Sequence, residues 1–313
     1  GPLSLLDPVE KYLPEFSGLR VGREVGEGIV YEPLKRPLTV YDLLRHTAGL
    51  TYGVFFRSPV KGLYLEAGVD RFDLSREVFL ERLAALPLRF QPGETFEYGL
   101  ATDLLGHLLE ALAGRSLAEL LEERLFRPLG MKDSGFQAKD PARLAQPFPK
   151  DPETGHSLRL LPVETPPPRY AGGMGGVGTA ADYLAFLEAL RLGRGALSPT
   201  MAGFMVQDHL GSLYPEALKR GPEYLPGPGY SFGLGVAVRV EPMGYSPGAL
   251  GEWTWAGFGG TFFFVDPLQE ITALYLAQAP NLLSVLEPEK ALHSRLGARL
   301  QHAFRTLVYL GLE

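Results

Sequence analysis

The sequence predicts an α+β fold in which an antiparallel sheet is flanked by helices. Helical periodicity dominates a subregion at about 39–210, whereas segments rich in aromatic and β-branched residues mark a sheet subregion at about 230–313. Because helices and strands are segregated and do not alternate along the chain, the sheet is expected to be antiparallel. We expect residues 1–313 to form a single domain, since no internal repeat divides them.

The first elements are predicted from short amphipathic stretches. Residues 1–38 show little periodicity, but TVYDLLRHTAGL predicts a short helix that ends near Gly49, where glycine can adopt the left-handed C-terminal conformation. Residues 51–75 are expected to form a long loop rich in aromatic side chains. The stretch 76–86 predicts the next helix.

Helix signals become stronger after residue 99. LATDLLGHLLEALAG carries a stripe of leucines and is expected to end at Gly114. Ser116 and Glu119 then have the spacing of a capping box, and Thr179 and Asp182 have the same spacing at the start of a later helix. The buried face of that later helix is expected to be Tyr183, Phe186, Leu187 and Leu190.

The strands are predicted near the end of the chain. FGLGVAVRV, EWTWAG, TFFFV and ITALYLAQA are strand-like by alternation and by their aromatic and β-branched content. Residues Asp266–Gln269 (DPLQ) separate the last two and predict a hairpin turn. SRLGARLQHAFRTLVYLGL closes the chain as an amphipathic helix.

Composition excludes several classes of function. A net charge of −6 without a long basic run argues against nucleic acid and anionic membranes as partners. The chain has no cysteine, which excludes thiolate catalysis, disulfides and zinc–cysteine sites. No apolar run reaches the ~18 residues that span a bilayer, and no signal peptide is visible, so we expect a cytoplasmic protein. The chain has one Asn, and its 22 Arg outnumber its 8 Lys. This composition is typical of a thermophile, and a GC-rich genome would give a similar bias.

Two motif matches suggest functions that their context does not support. Residues 173–178 (GMGGVG) fit the dinucleotide fingerprint G-x-G-x-x-G, but three prolines precede them where that motif requires a strand. Ser58 and Lys61 form an S-x-x-K tetrad, as in hydrolases where the lysine amine activates the serine. The residues after Lys61 do not predict a buried helix, so we interpret this tetrad as a loop with a solvated lysine.

A third match is GYSPG at 244–248, which fits the nucleophile elbow G-x-S-x-G around Ser246. An elbow needs a strand, a sharp turn and then a helix. Here the motif continues into ALGEWTW, which predicts a strand. Ser246 is therefore interpreted as part of a turn.

Taken together, several segments resemble the serine β-lactamase-related family, which includes class C β-lactamases, D-alanyl-D-alanine peptidases and class VIII carboxylesterases. The resembling segments, in the order of the family, are LSLLDPVEKYLPEF, TVYDLLRHTAGLTYG, FEYGLATDLLGHLLEALAGRSLAELLEERLFRPLGMKDSGF, YAGGMGGVGTAADYLAFLEAL, YSFGLGVAV and WAGFGGTFFFVDP. The resemblance covers most of the chain and is greatest for the esterase branch. It implies a β-lactamase/penicillin-binding-protein-like fold and no metal or other cofactor.

The resemblance assigns Tyr98 in FEYGLATD to the family's catalytic tyrosine, whose phenol relays a proton between nucleophile and leaving group. A partly buried structural tyrosine is the alternative. Gly99 and Leu100 depart from the Y-x-N form of β-lactamases. The absent Asn removes an amide that would bind a β-lactam side chain, which favours ester substrates.

The resemblance assigns Trp255, Ala256 and Gly257 to the third catalytic element, where β-lactamases and peptidases carry Lys or His, then Thr and Gly. Trp255 cannot pair with a substrate carboxylate, so a neutral acyl ester is again favoured; core packing is its alternative role. Gly257 permits close approach of substrate, and the Phe258 N–H would donate to the oxyanion. His46 matches a His-Thr pair of the family that we interpret as structural.

The family's catalytic S-x-x-K is expected upstream of residue 1, so that this domain would lack its N-terminal part and could be inactive alone. The predicted function is a carboxylesterase-like serine hydrolase acting on small ester or amide substrates through an acyl-enzyme. Two alternatives are a D-Ala-D-Ala peptidase or β-lactamase, and a non-catalytic homologue that binds ligand in the same cleft. The sequence does not indicate an oligomeric state.

Overall fold

The computed structural model describes residues 3–151, 154–159, 161–195, 197–243, 246–279 and 298–312. The chain divides into two compact units. The first contains Gly1–Leu121, Pro166–Gly175 and His209–Leu225; the second contains Glu122–Thr165, Gly176–Asp208 and Pro226–Glu313. Antiparallel sheets flanked by helices confirm the predicted α+β class. Within the described ranges, no helix has the length and apolar character needed to cross a membrane.

The elements are numbered in chain order. The helices are α1 Val40–Leu44, α2 Pro59–Ala67, α3 Arg76–Ala84, α4 Ala101–Ala113, α5 Leu117–Leu121, α6 Ala180–Leu192, α7 Pro199–Met205, α8 Tyr214–Leu218 and α9 Ala298–Leu310. The strands are β1 Arg20–Val25, β2 Gly28–Pro33, β3 Tyr230–Phe232, β4 Ala237–Arg239, β5 Trp253–Ala256, β6 Phe262–Asp266 and β7 Ile271–Tyr275.

Local capping rules explain the helix ends of the first unit. Thr39 and Asp42 form a capping box at the start of α1. This helix ends at Leu44, earlier than predicted, because His46 adopts the left-handed conformation (φ 54°) before Gly49 is reached. Helix α4 ends as predicted at Gly114, which is left-handed (φ 63°). The leucine stripe of α4 packs into the apolar core of this unit.

One element of the first unit was not predicted, and one prediction for this unit is wrong. Residues 1–38 contain the antiparallel hairpin β1–β2, which reverses at Gly26 (φ 58°). Its alternation is hard to recognise because strand β1 mixes buried Val21 with exposed Arg20 and Arg23. The expected loop at 51–75 contains helix α2 (Pro59–Ala67), which starts at a proline and is capped by the residue before it.

The second unit is built on a five-stranded antiparallel sheet with the order β3-β4-β5-β6-β7. Strand β6 is buried on both faces, and its side chains alternate between two cores. Phe263 and Val265 belong to the core that contains Leu187 of α6. Phe262 and Phe264 belong to the other core, which α9 covers. The aromatic runs of the sequence therefore fill both sides of one strand.

Two predictions for the second unit need correction. FGLGVAVRV is not one strand, because a turn closed by the Gly233 N–H and the Val236 carbonyl (2.7 Å) separates β3 from β4. Tyr183 is 37% exposed, whereas Leu187 and Leu190 of the predicted face are buried. The hairpin turn at Asp266 is confirmed, since its carboxylate accepts the N–H groups of residues 268 and 269. Part of the predicted C-terminal helix (294–297) lies outside the described residues.

Candidate active site

Tyr98 is the accessible member of an otherwise buried segment ahead of helix α4. Phe96, Glu97 and Leu100 are buried, whereas Tyr98 is half-buried. Its ring lies against the ring of His46 at a centroid distance of 4.9 Å and against that of Tyr52 at 5.5 Å. The phenol is thus held between two other rings on the surface of the first unit.

His46 has the environment of a structural histidine. Burial lowers the pKa of its imidazole to about 4, so the ring is neutral near pH 7. Its Nε2 atom lies 3.3 Å from the Thr102 hydroxyl of helix α4, and its carbonyl accepts the Glu97 N–H at 2.8 Å. The residue therefore connects the end of α1 to the segment that carries Tyr98.

A buried ion pair connects helix α4 to Arg169. Asp103 of α4 is fully buried and accepts a hydrogen bond from Arg169 at 3.1 Å. Burial raises the pKa of Asp103 although Arg169 opposes the shift. The guanidinium of Arg169 also lies over the Phe79 ring, 4.1 Å from its centroid. This pair fixes the segment Pro166–Gly175 to α4 within the first unit.

The first glycines of the motif at 173–178, together with Gly172 just before it, pack closely in the first unit. A Cβ at Gly172 would overlap the Thr102 carbonyl oxygen, and one at Gly173 would overlap the Asp103 carboxylate. Gly175 is left-handed (φ 82°) and passes against the Phe72 ring. Gly172 and Gly173 therefore let the backbone touch α4, and no phosphate is needed to explain this close approach.

The carboxyl group of Asp70 gives a pH-dependent prediction. Its Oδ2 accepts the Gly53 N–H at 2.9 Å, and burial raises its pKa from 3.8 to about 6. The folded state therefore retains a proton that the unfolded state releases between about pH 4 and 6, so the free energy of unfolding should fall as pH rises through this window. Asp70→Asn should make this fall shallower, as measured by urea unfolding at several pH values.

The matched control is Asp73→Asn. Asp73 is exposed, and its ion pair with Arg71 lowers its pKa, so this variant should keep the parent's fall in stability between pH 4 and 6. An unchanged pH dependence in Asp70→Asn would contradict the assignment.

The S-x-x-K lysine is buried, contrary to the expected solvated loop. Lys61 is 4% exposed, and its Nζ donates to the Phe55 carbonyl (2.9 Å) and lies 3.4 Å from the Glu97 carboxylate. Ser58 caps α2 and accepts the Lys61 backbone N–H. The amine is thus paired with carboxylates, and the serine hydroxyl is used as a helix cap.

Lys61 belongs to a charge cluster formed by Lys61, Arg89, Glu97, Arg220 and Glu223. Arg89 and Arg220 each form ion pairs with both carboxylates. Burial opposes the ionisation of Glu223, but Arg89, Lys61 and Arg220 outweigh it and lower its pKa to about 2. Burial lowers the pKa of Lys61, although Glu97 opposes the shift. Sequence reasoning missed this cluster because its members are spread over more than 160 positions without a pattern.

Ser246 lies in a buried turn of the second unit. Arg239 donates to the carbonyl oxygens of Met243, Ser246 and Pro247. The chain then enters strand β5 and not a helix, as the sequence predicts. The rest of the GYSPG motif at 244–245 lies outside the described residues. This turn lacks the strand–turn–helix geometry of a nucleophile elbow.

Trp255, Gly257 and Phe258 lie together at the end of β5. Strand β4 pairs with Trp253 and Thr254, whereas β6 pairs along the whole of β5. In the described part of the chain, β5 therefore extends beyond its β4 neighbour. The Trp255 indole packs edge-on against the Phe232 ring at 5.2 Å and is half-buried.

The turn after β5 carries a backbone donor at Phe258. Gly257 donates to the Thr261 carbonyl at 2.8 Å on the side of β6, and Gly260 closes the turn onto the Gly257 carbonyl at 3.0 Å. The C=O and N–H of one peptide group point in opposite directions, so the N–H of Phe258 points away from the side to which the Gly257 carbonyl turns. Phe258 is 52% exposed, and its N–H donates to no other described residue. A Cβ at Gly257 would overlap the Thr261 hydroxyl.

Comparisons with known proteins identify the family of the chain. Residues 1–293 match the family described as Beta-lactamase. Esterase EstB of Burkholderia gladioli is 33% identical over 297 residues, which cover 88% of this chain and 71% of EstB. The structure of EstCE1, described as a hydrolase with promiscuous acyltransferase activity, has a TM-score of 0.72 and 30% identity and covers 94% of this chain and 79% of EstCE1.

A penicillin-binding protein from Bacillus halodurans has the same fold, with a TM-score of 0.61 and 21% identity over 93% of this chain and 78% of that protein. The predicted β-lactamase/penicillin-binding-protein-like fold is thus confirmed. The chain belongs to the serine β-lactamase-related family and, within it, to the esterase branch.

Proposed function

We propose that the protein is a carboxylesterase-like serine hydrolase that cleaves small acyl esters through an acyl-enzyme. The observation that carries the proposal is the end of β5, where the backbone N–H of the exposed residue Phe258 follows Trp255 by three positions and donates to no other described residue. A backbone donor in this position can stabilise the oxyanion of a tetrahedral intermediate. An indole, unlike a cation, offers no charge to a substrate carboxylate, which favours neutral esters.

Tyr98 is proposed to relay a proton between the nucleophile and the leaving alcohol. Its half-buried phenol, held by the rings of His46 and Tyr52, supports this role because a proton relay must be both accessible and oriented. Its oxygen would accept the nucleophile's proton while its own proton passes to the departing oxygen, so that the phenol is neutral before and after the relay. Gly257 is proposed to keep the strand open to substrate.

The nucleophile is proposed to be a serine of the complete protein other than Ser58 and Ser246. Ser58 caps α2, and its neighbour Lys61 is engaged with carboxylates. Ser246 is buried in the turn that Arg239 holds.

A fluorophosphonate probe tests this proposal on the complete protein. We expect the probe to label a serine outside these two positions, as mapped by peptide mass spectrometry. Ser246→Ala and Ser58→Ala should retain labelling and p-nitrophenyl butyrate turnover, although loss of the Ser58 cap should cost about 1 kcal/mol of stability.

Loss of labelling in either alanine variant would refute the proposal, and so would a complete protein that hydrolyses no ester. Nitrocefin serves as the comparison substrate. Faster hydrolysis of nitrocefin than of the ester would favour a lactam or peptide substrate.

A further inference from the structure

The charge cluster surrounds the carboxylate immediately ahead of Tyr98. Glu97 is 2% exposed, and its oxygens lie 3.4 Å from Lys61 Nζ and 3.2 Å from Arg89 Nη1. Arg220 and the Thr51 hydroxyl also donate to it. Burial opposes the ionisation of Glu97, but the three cations outweigh it and lower its pKa. The carboxylate is therefore charged and contacted from several directions.

The same cluster holds the backbone on the N-terminal side of Tyr98. Arg220 donates to the Phe96 carbonyl, so one guanidinium binds both the main chain and the Glu97 side chain. The Glu97 N–H donates to the His46 carbonyl at 2.8 Å. On the other side, Gly99 passes so close to Leu50 that a Cβ would overlap the Leu50 carbonyl oxygen. The peptide groups that flank Tyr98 thus have little freedom to rotate.

The charged residues of the cluster come from several elements of the first unit. Lys61 comes from α2, and Arg220 and Glu223 follow α8. Three cations face Glu97 and Glu223. A third carboxylate, that of Glu24, lies 3.7 Å from Arg89. Because each carboxylate is shared by several cations, loss of one member changes the position of the others. A displacement of Glu97 would be transmitted directly to the next residue, Tyr98.

We propose that the charge cluster positions the phenol of Tyr98, with Lys61 as a positioning residue that acts through Glu97 and not through Ser58. This inference rests on the proposed role of Tyr98 in proton transfer. It gives the buried lysine of the S-x-x-K tetrad a function in the reaction other than activation of the adjacent serine. It also explains why a buried cation is kept beside a segment that must present an accessible side chain.

Fluorine NMR tests the proposal on the complete protein with 3-fluorotyrosine in place of tyrosine. The Tyr98 signal is assigned as the one missing from Tyr98→Phe. In Glu97→Gln and Lys61→Met we expect this signal to move toward the position of the free amino acid. The signals of Tyr31 and Tyr183 should remain in place. The conservative variant Lys61→Arg should restore the parent Tyr98 signal.

Kinetics of p-nitrophenyl butyrate hydrolysis provide the second readout. We expect kcat to fall about 10- to 100-fold in Glu97→Gln, with KM within about twofold, because misplacement of a reacting group affects the chemical step more than binding. The matched control is Glu32→Gln, which removes an exposed ion pair with Arg23 and should leave both constants unchanged.

An unchanged Tyr98 signal in folded Glu97→Gln and Lys61→Met would overturn the proposal and leave the cluster a purely stabilising role. If these variants do not fold, Glu223→Gln at the half-buried edge of the cluster takes their place, with the same expected displacement. A complete protein without ester turnover in which the Tyr98 signal still responds would refute the proposed function while supporting the positioning role.

Discussion

Replacement of Tyr98 by Phe is expected to lower kcat/KM for p-nitrophenyl butyrate by about 10²- to 10⁴-fold, the range that a positioned proton-transfer group supplies. The substitution removes one oxygen atom and keeps the ring that packs against His46 and Tyr52. The fold should therefore be preserved, which circular dichroism and thermal unfolding would verify. The loss should appear in kcat, since the phenol acts in the chemical step.

The matched control is Tyr31→Phe, which removes an exposed hydroxyl on β2 of the first unit. We expect turnover by this variant to equal that of the parent. Turnover by Tyr98→Phe within a few-fold of the parent would show that Tyr98 is a structural residue and that another group transfers the proton.

Replacement of Arg169 by Met is expected to lower the free energy of unfolding by about 3–5 kcal/mol, because it leaves the Asp103 carboxylate buried without its cation. Both side chains are almost completely buried and lie 3.1 Å apart. Met preserves most of the aliphatic volume, so the loss reports mainly the unpaired charge. Chemical denaturation at pH 7 measures the effect.

The loss should shrink as pH falls. Burial raises the pKa of Asp103, and without Arg169 the folded state should bind this proton still more tightly than the unfolded state. The stability of Arg169→Met should therefore rise, relative to the parent, as the solution is acidified. The double variant Arg169→Met with Asp103→Asn should recover part of the loss at pH 7.

An exposed ion pair provides the comparison for this prediction. Arg143→Met breaks a pair with Asp133 at a similar distance of 3.0 Å, but both side chains are exposed, so we expect a loss below about 1 kcal/mol. A loss in Arg169→Met no larger than in Arg143→Met would contradict the assigned cost of the buried charge.

Features set by local chemistry were predictable from the sequence. Gly114 ends α4 because glycine adopts the left-handed conformation without strain. The Asp266 turn also follows from short-range rules. In contrast, the division between β3 and β4 involves a tertiary contact, since a Cβ at Gly233 would overlap the Met205 carbonyl oxygen.

The candidate site was predictable only where a residue has a sequence context of its own. The segment around Tyr98 and the strand around Trp255 were selected by their resemblance to family segments, and their catalytic roles stay predictions. The burial of Lys61 could not be predicted, because its partners Glu97 and Glu223 are distant in sequence and each is a common surface residue type. The sequence places a lysine one helical turn from a serine, and only the fold shows that the amine is engaged elsewhere.

The residue at which β4 begins has a consequence for how access to β5 can change in evolution. Because β4 begins at Ala237, directly after the Gly233–Val236 turn, the length of that turn decides how many peptide groups of β5 stay uncovered. Starting β4 two residues earlier would let it pair with Ala256 and close this stretch of backbone to any ligand. An insertion or deletion in one short turn could thus open or shut the strand without touching a catalytic side chain.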